Sequence, residues 1–199
     1  MQQNRFNVVE KKIIARLDDC LDSRLYYHNS KHTLDVIEQA QRIAKEEGIN
    51  GPDLEILKTA ALYHDSGFLF TYNNHELKGC EIVRTELKDY GFNEEELKVI
   101  CGLIMATKIP QKPHTLLEEI LCDADLDYLG RDDYKPISDC LKRELFAFGY
   151  IKTDHEWLLM QIHFLESHAY FTRSGKQKRA DKKEAVLMEL KENLETYKI

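Results

Sequence analysis

No stretch of this chain is long and apolar enough to cross a membrane, and its first residues, MQQNRFNVVEKK, contain no apolar signal core. A membrane partner and export are therefore not expected, and a cytoplasmic location is. No CxxC pair occurs. The five cysteines, Cys20, Cys80, Cys101, Cys122 and Cys140, are odd in number and widely spread, which argues against a disulfide framework and a zinc ribbon. Most lie among apolar neighbours at helical spacing and read as buried free thiols. There is no positive excess either. A formal net charge of -7 disfavours a nucleic-acid-binding surface, and no stable nucleic-acid partner is expected. The one basic run, Arg173 to Lys183, reads as a solvated loop and helix start. Alternating strands, repeats, low-complexity tracts and long linkers are all missing.

What remains is a chain of 199 residues, 43% hydrophobic and 32% charged, enough for one domain with a real core. Its apolar residues recur at three-four spacing. Examples are Val36, Ile37, Ala40, Ile43 and Ala44; Cys80, Val83, Leu87 and Tyr90; and Leu97, Ile100 and Ile104. Further sets are Leu117, Ile120, Leu121, Ala124 and Tyr128; Ile137, Leu141 and Leu145; Leu158, Ile162 and Leu165; and Leu187, Leu190, Leu194 and Tyr197. This spacing puts side chains on one helix face. Gly48, Gly91, Gly130 and Gly149 follow periodic segments, where left-handed caps are wanted. Pro52 suits a helix first turn. Asn93 with Glu96, and Thr153 with Glu156, have capping-box spacing. The expectation is an all-α, single-domain bundle of about eight or nine helices over 1–199, with Ser174–Gly175 as a short flexible joint.

Three segments hold polar residues that fit a purely structural helix badly. In Tyr27-His28-Asn29-Ser30-Lys31-His32, Ser30 is the expected N-cap, with His32 in the first helical turn and His28 before it. In Ala60-Ala61-Leu62-Tyr63-His64-Asp65-Ser66-Gly67, an apolar helix runs straight into His-Asp. Neighbours on a helix diverge by about 100°, yet one cation seated over the helix end can take both. In Leu121-Cys122-Asp123-Ala124-Asp125-Leu126-Asp127, Asp123 lies beside the apolar face and shares a face with Asp127, while Asp125 points elsewhere; alone, Asp123 reads as a cap or hydrogen-bonded core residue, and beside the other two clusters as a metal ligand.

The order His32, then His64-Asp65, then Asp123 resembles the H…HD…D signature of the HD superfamily of metal-dependent phosphohydrolases. The resemblance covers roughly residues 25 to 130, with helices 133–199 expected to pack on that motif core. The flanks agree. Tyr27-His28-Asn29-x-x-His32, followed by Asp35-Val36, is similar to the cyclic-nucleotide phosphodiesterases. His64-Asp65-x-Gly67 with His75-Glu76 is similar to bacterial HD hydrolases. Asp123-Ala124-Asp125-Leu126 with Leu129-Gly130, preceded by Ala106-Thr107, resembles HD phosphohydrolases known only as metal-dependent.

The resemblance implies a divalent metal (manganese, magnesium, iron or zinc) on His32, His64, Asp65 and Asp123, and hydrolysis of a nucleotide or another small phosphorylated metabolite. Such a metal acidifies water and offsets charge at phosphorus. His28 takes the place of the histidine that protonates the leaving oxygen, or else serves only as a hydrogen-bonding support. Asp65 belongs with the catalytic set and bridges two metals if a second is present. His75 and Lys108 are candidates for a second metal or for phosphate; Lys31 and Arg131 are weaker phosphate candidates. His163 and His168, with Tyr170-Phe171-Thr172, pack in the core or line a pocket over a base. Alarmone hydrolysis is disfavoured, because Ser66-Gly67-Phe68-Leu69-Phe70 lacks the Glu-Asp pair of those enzymes. A diguanylate-specific Gly-Tyr-Pro segment is absent. The alternatives are a silent metal- or nucleotide-binding sensor and a di-iron oxygenase, and a homodimer is compatible with any of these.

Overall fold

The computed structural model describes residues 5–196. Among them are nine α-helices and no strand. They are α1 (Arg5–Cys20), α2 (Ser30–Glu46), α3 (Gly51–Tyr63), α4 (His75–Glu86), α5 (Glu94–Ala106), α6 (Leu116–Asp125), α7 (Tyr134–Ala147), α8 (Asp154–Ser167) and α9 (Arg173–Thr196). Short 3-10 turns cover Ser66–Leu69, Leu87–Tyr90 and Asp127–Gly130. Tyr197, assigned above to the last apolar face, lies outside the described residues.

The helices begin and end where local chemistry dictates. Asn93 and Thr115 open α5 and α6 with full capping boxes to Glu96 and Glu118. Thr153 caps α8 by accepting from the Glu156 amide, and Pro52 sits in the first turn of α3. Gly48, Gly91 and Gly149 have left-handed φ of 81°, 81° and 76°. Gly130 does not. It lies in a 3-10 turn where any Cβ would collide with the backbone of Arg179, so close approach rather than handedness selects glycine there. Ser30 is not the cap of α2 either. Asn29 takes that role, accepting from the Lys31 and His32 amides at 3.0 and 3.4 Å.

Two apolar clusters form. The first joins the buried faces of α1 to α6; the second joins Tyr27, residues 126–134 and the faces of α7, α8 and α9. Cys80, Cys101 and Cys122 are buried free thiols, Cys140 is half-buried and Cys20 is exposed. Ser174 and Gly175 are not a joint: they are buried in the first turn of α9. The basic run is only partly solvated. Arg179 pairs with Asp127 at 2.9 Å, and buried Lys183 donates to the Leu165 and His168 carbonyls. Arg131 is likewise held by Asp35 and Asp133. The motif-bearing ends of α2, α3 and α6 meet at the seam between the two clusters.

Candidate metal centre

Helix α3 ends at Tyr63, and the chain turns out of it at Asp65, with φ -100° and ψ 3°. This sparsely allowed conformation swings two adjacent side chains onto one point, His64 Nε2 lying 3.2 Å from Asp65 Oδ2. His32, in the first turn of α2, brings its Nε2 to 3.4 Å from both His64 Nε2 and Asp65 Oδ2. The last residue of α6 closes the set: Asp125 Oδ1 lies 3.2 Å from His32 Nε2 and 3.4 Å from His64 Nε2. Side-chain exposures are 7% for His32, 1% for His64, 7% for Asp65 and 14% for Asp125, so these are desolvated groups.

The donor set suits a cation. His64 Nδ1 sits 2.7 Å from the Ala61 carbonyl, an arrangement that places its proton there and leaves the Nε2 lone pair facing inward. Among the described residues Asp65 Oδ2 is buried without a hydrogen-bond partner, a costly state for a carboxylate oxygen unless positive charge faces it. His32, His64 and Asp125 form a group able to hold a metal ion. The electrostatics agree. Burial alone would lower the His64 pKa, but the Asp65 and Asp125 carboxylates outweigh it and raise it well above the histidine range. Burial would raise Asp65, yet the imidazoles of His64, His28 and His32 hold it well below the carboxylate range.

Asp123, the expected carboxylate, is not part of this set. Its side chain points away from the histidines and is completely buried. It accepts from Phe171 N at 2.8 Å, Thr172 N at 2.9 Å and Thr172 Oγ1 at 2.6 Å. Burial pushes its pKa up to about 6 against those hydrogen bonds. Asp123 thus ties the segment before α9 onto α6. The face shared with Asp127 also fails, because α6 stops at Asp125; Asp127 lies in the following turn, paired with Arg42 and Arg179.

The other candidates divide. His28 Nδ1 is 2.5 Å from Glu144 Oε1. Glu144, on α7 and with no exposed side-chain surface, also accepts from the Tyr27 and His28 amides and from Tyr72 Oη. Burial would lower the His28 pKa, but Glu144 and Asp65 outweigh it and raise it. Phe68 is sandwiched between His28 and His75, with ring centroids 4.4 and 4.0 Å apart. His75 opens α4 and brings its Nε2 to 3.5 Å from Asp65 Oδ1. Gly67 allows this, since any Cβ there would overlap the His75 carbonyl. Lys108 is exposed and donates to Asn74 Oδ1 at 3.0 Å, outside the set. Lys31 is exposed, and His163 is exposed on α8. His168, Tyr170, Phe171 and Thr172 do not line the cavity beside the centre; that cavity is bounded by His28, Asp65, His75, Asp125 and apolar residues of α7 and α8.

Glu144, Tyr72 and Phe68 were not singled out from sequence. Glu144 carries one legible signal: it falls three residues after Leu141 and one before Leu145, on the apolar side of an amphipathic helix, where an unpaired carboxylate would be costly.

The family model of the HD domain matches residues 29–127, a span that contains His32, His64, Asp65 and Asp125. A protein of Clostridium beijerinckii described as uncharacterised is 42% identical over 82 residues, 40% of this chain and 52% of that one, so the match spans about half the length of that relative. Among solved structures, a protein from an uncultured Thermotogales bacterium, described as a predicted HD superfamily hydrolase, shares the fold with a TM-score of 0.61. That likeness covers 94% of this chain and 92% of the other at 21% identity. With the histidines and carboxylates of the motif meeting inside the matched span, residues 29–127 of the chain form an HD domain.

Proposed function

We propose that this protein hydrolyses a small phosphate ester at a divalent metal held by His32, His64, Asp65 and Asp125. The observation that carries the reading is the convergence of two imidazole nitrogens and two carboxylates, all desolvated, with one carboxylate oxygen left without a donor. A divalent ion held there supplies Lewis-acid charge at phosphorus and acidifies water. The chain's own groups supply the rest. His28 is kept protonated by Glu144, whose bond to Nδ1 leaves Nε2 as the proton to give. Water adds its oxygen to phosphorus, the P–O ester bond breaks, and the leaving oxygen takes the His28 proton to depart as an alcohol; one water proton stays on the phosphate product and the other is released to solvent, from which His28 is reprotonated. Asp65 and Asp125 orient the nucleophile, Phe68 stacks on the acid, and Tyr72 holds Glu144 against it by donating to Oε1. His75, beside Asp65 Oδ1, is positioned to hold a second metal or a phosphate oxygen.

The test is phosphate release from a panel of phosphate esters with added manganese, magnesium or no metal, alongside Asp65→Ala. Release that needs metal, and that is lost in a variant with an unchanged circular-dichroism spectrum, is the expected result. Undiminished release by folded Asp65→Ala contradicts the proposal.

A further inference from the structure

The cavity beside the centre has a volume of about 240 Å³ and two unlike ends. His28, Asp65, His75 and Asp125 line one end. At the other, α7 and α8 present Leu141, Leu145, Trp157, Met160, Phe164 and Leu165. Their three-four spacing along each helix aims two apolar faces into the space rather than at each other. Tyr128 and Tyr134 add an aromatic side wall, their rings nearly parallel at 10° with centroids 6.1 Å apart.

Polar groups at this end are few, and two of them are already engaged. Tyr134 Oη donates to Gln161 Oε1 at 2.8 Å, and Ser138 Oγ donates to the Lys135 carbonyl. No lysine or arginine is among the lining residues. A second phosphate would be desolvated there with no counter-charge, and a sugar or base would leave many of its polar atoms unpaired. An apolar group loses nothing. At a water's share of roughly 30 Å³, the whole space takes on the order of eight non-hydrogen atoms, which with a phosphate at the metal end leaves room for about three or four carbons.

We infer, resting on the phosphohydrolase reading above, that the esterified group of the substrate is apolar, a short alkyl chain of about this size, and that α7 and α8 form its binding site. The substrate is then the phosphate monoester of an apolar alcohol, with its phosphate at the metal end and its hydrocarbon against Leu141, Leu145 and Trp157.

Trp157 is the chain's single tryptophan, it is 7% exposed, and it lines the cavity, so its fluorescence reads occupancy without turnover. The experiment titrates the full-length, manganese-loaded protein with alkylphosphonates from methyl to octyl, and with AMP and ATP. The expected Kd falls about three- to fourfold per added methylene up to a plateau near four carbons. Leu145→Gln flattens that series. Met160 is 40% exposed, so Met160→Gln is the companion variant should the first not fold. A Kd independent of chain length, or tighter binding of AMP or ATP than of butylphosphonate, overturns the inference. Phosphate release from butyl phosphate and AMP on the same protein separates the two readings. A steep binding series without release upholds the apolar pocket and contradicts the hydrolase; a flat series with release does the reverse.

Discussion

Asp125 and Asp123 stand two residues apart on α6 and face different partners, the first towards His32 and His64, the second towards Thr172. Sequence periodicity puts Asp123 beside the apolar face, and that much is correct, since the residue is fully buried. What periodicity does not carry is the reason for the burial. It lies 48 and 49 residues downstream, in the amides of Phe171 and Thr172. His32 and His64-Asp65 are legible because an imidazole and a carboxylate at the end of an apolar helix have few structural explanations. Glu144 is harder to see among Lys142 and Arg143, where a carboxylate is normally solvated. Its effect is measurable. With the His28 pKa raised, the imidazole stays protonated above the ordinary histidine range, and the rate falls only as pH rises through that raised value. Glu144→Gln removes the charge that opposes deprotonation, so the alkaline limb of the rate profile moves to lower pH. His28→Asn removes the acid and lowers kcat by about 10² to 10⁴-fold. An alkaline limb unmoved by Glu144→Gln rules out this role.

At the scale of elements, nearly all helices are legible from spacing and caps, and the misreadings fall at their ends. Gly130 and Ser174–Gly175 look like punctuation in one dimension, but they are points of close packing against or within α9. The C-terminus of α8 carries a pH consequence of the same kind. His168 follows it with both ring nitrogens buried and unpartnered among the described residues, edge-on to Tyr170 at 4.8 Å. Burial, with Lys183 nearby, lowers its pKa to about 4. The unfolded chain therefore binds a proton there that the folded chain does not, between about pH 6.5 and 4. The stability this site contributes is present above the unfolded value and lost as pH falls through that window, by up to about 3 kcal/mol. Asp123 acts in the opposite sense over part of the range, so the comparison needed is between proteins that differ only at His168. Thermal melts of His168→Phe should lose less stability than the parent from pH 6.5 to pH 4.5; parallel curves for the two proteins contradict the assignment.

For the whole molecule, the candidate centre lies where three helix ends of one apolar cluster meet two helices of the other. A sequence reading treats α7 and α8 as packing, because a face that lines a cavity has the same periodicity as a face that fills a core. An ion bound there ties α2, α3 and α6 together and stabilises only the folded chain. At a hundred times its dissociation constant it contributes about 2.7 kcal/mol, which raises Tm by roughly 5–10 °C for a chain of this size.

The most direct measurement of the central claim is therefore metal content, read with Tm, for the parent protein, Asp125→Ala and Asp123→Ala after equilibration with manganese. The parent and Asp123→Ala retain the ion and its thermal shift, Asp123→Ala from a lower baseline because three donors lose their acceptor. Asp125→Ala loses both. Retention by Asp125→Ala with loss by a folded Asp123→Ala would contradict the assignment of the centre.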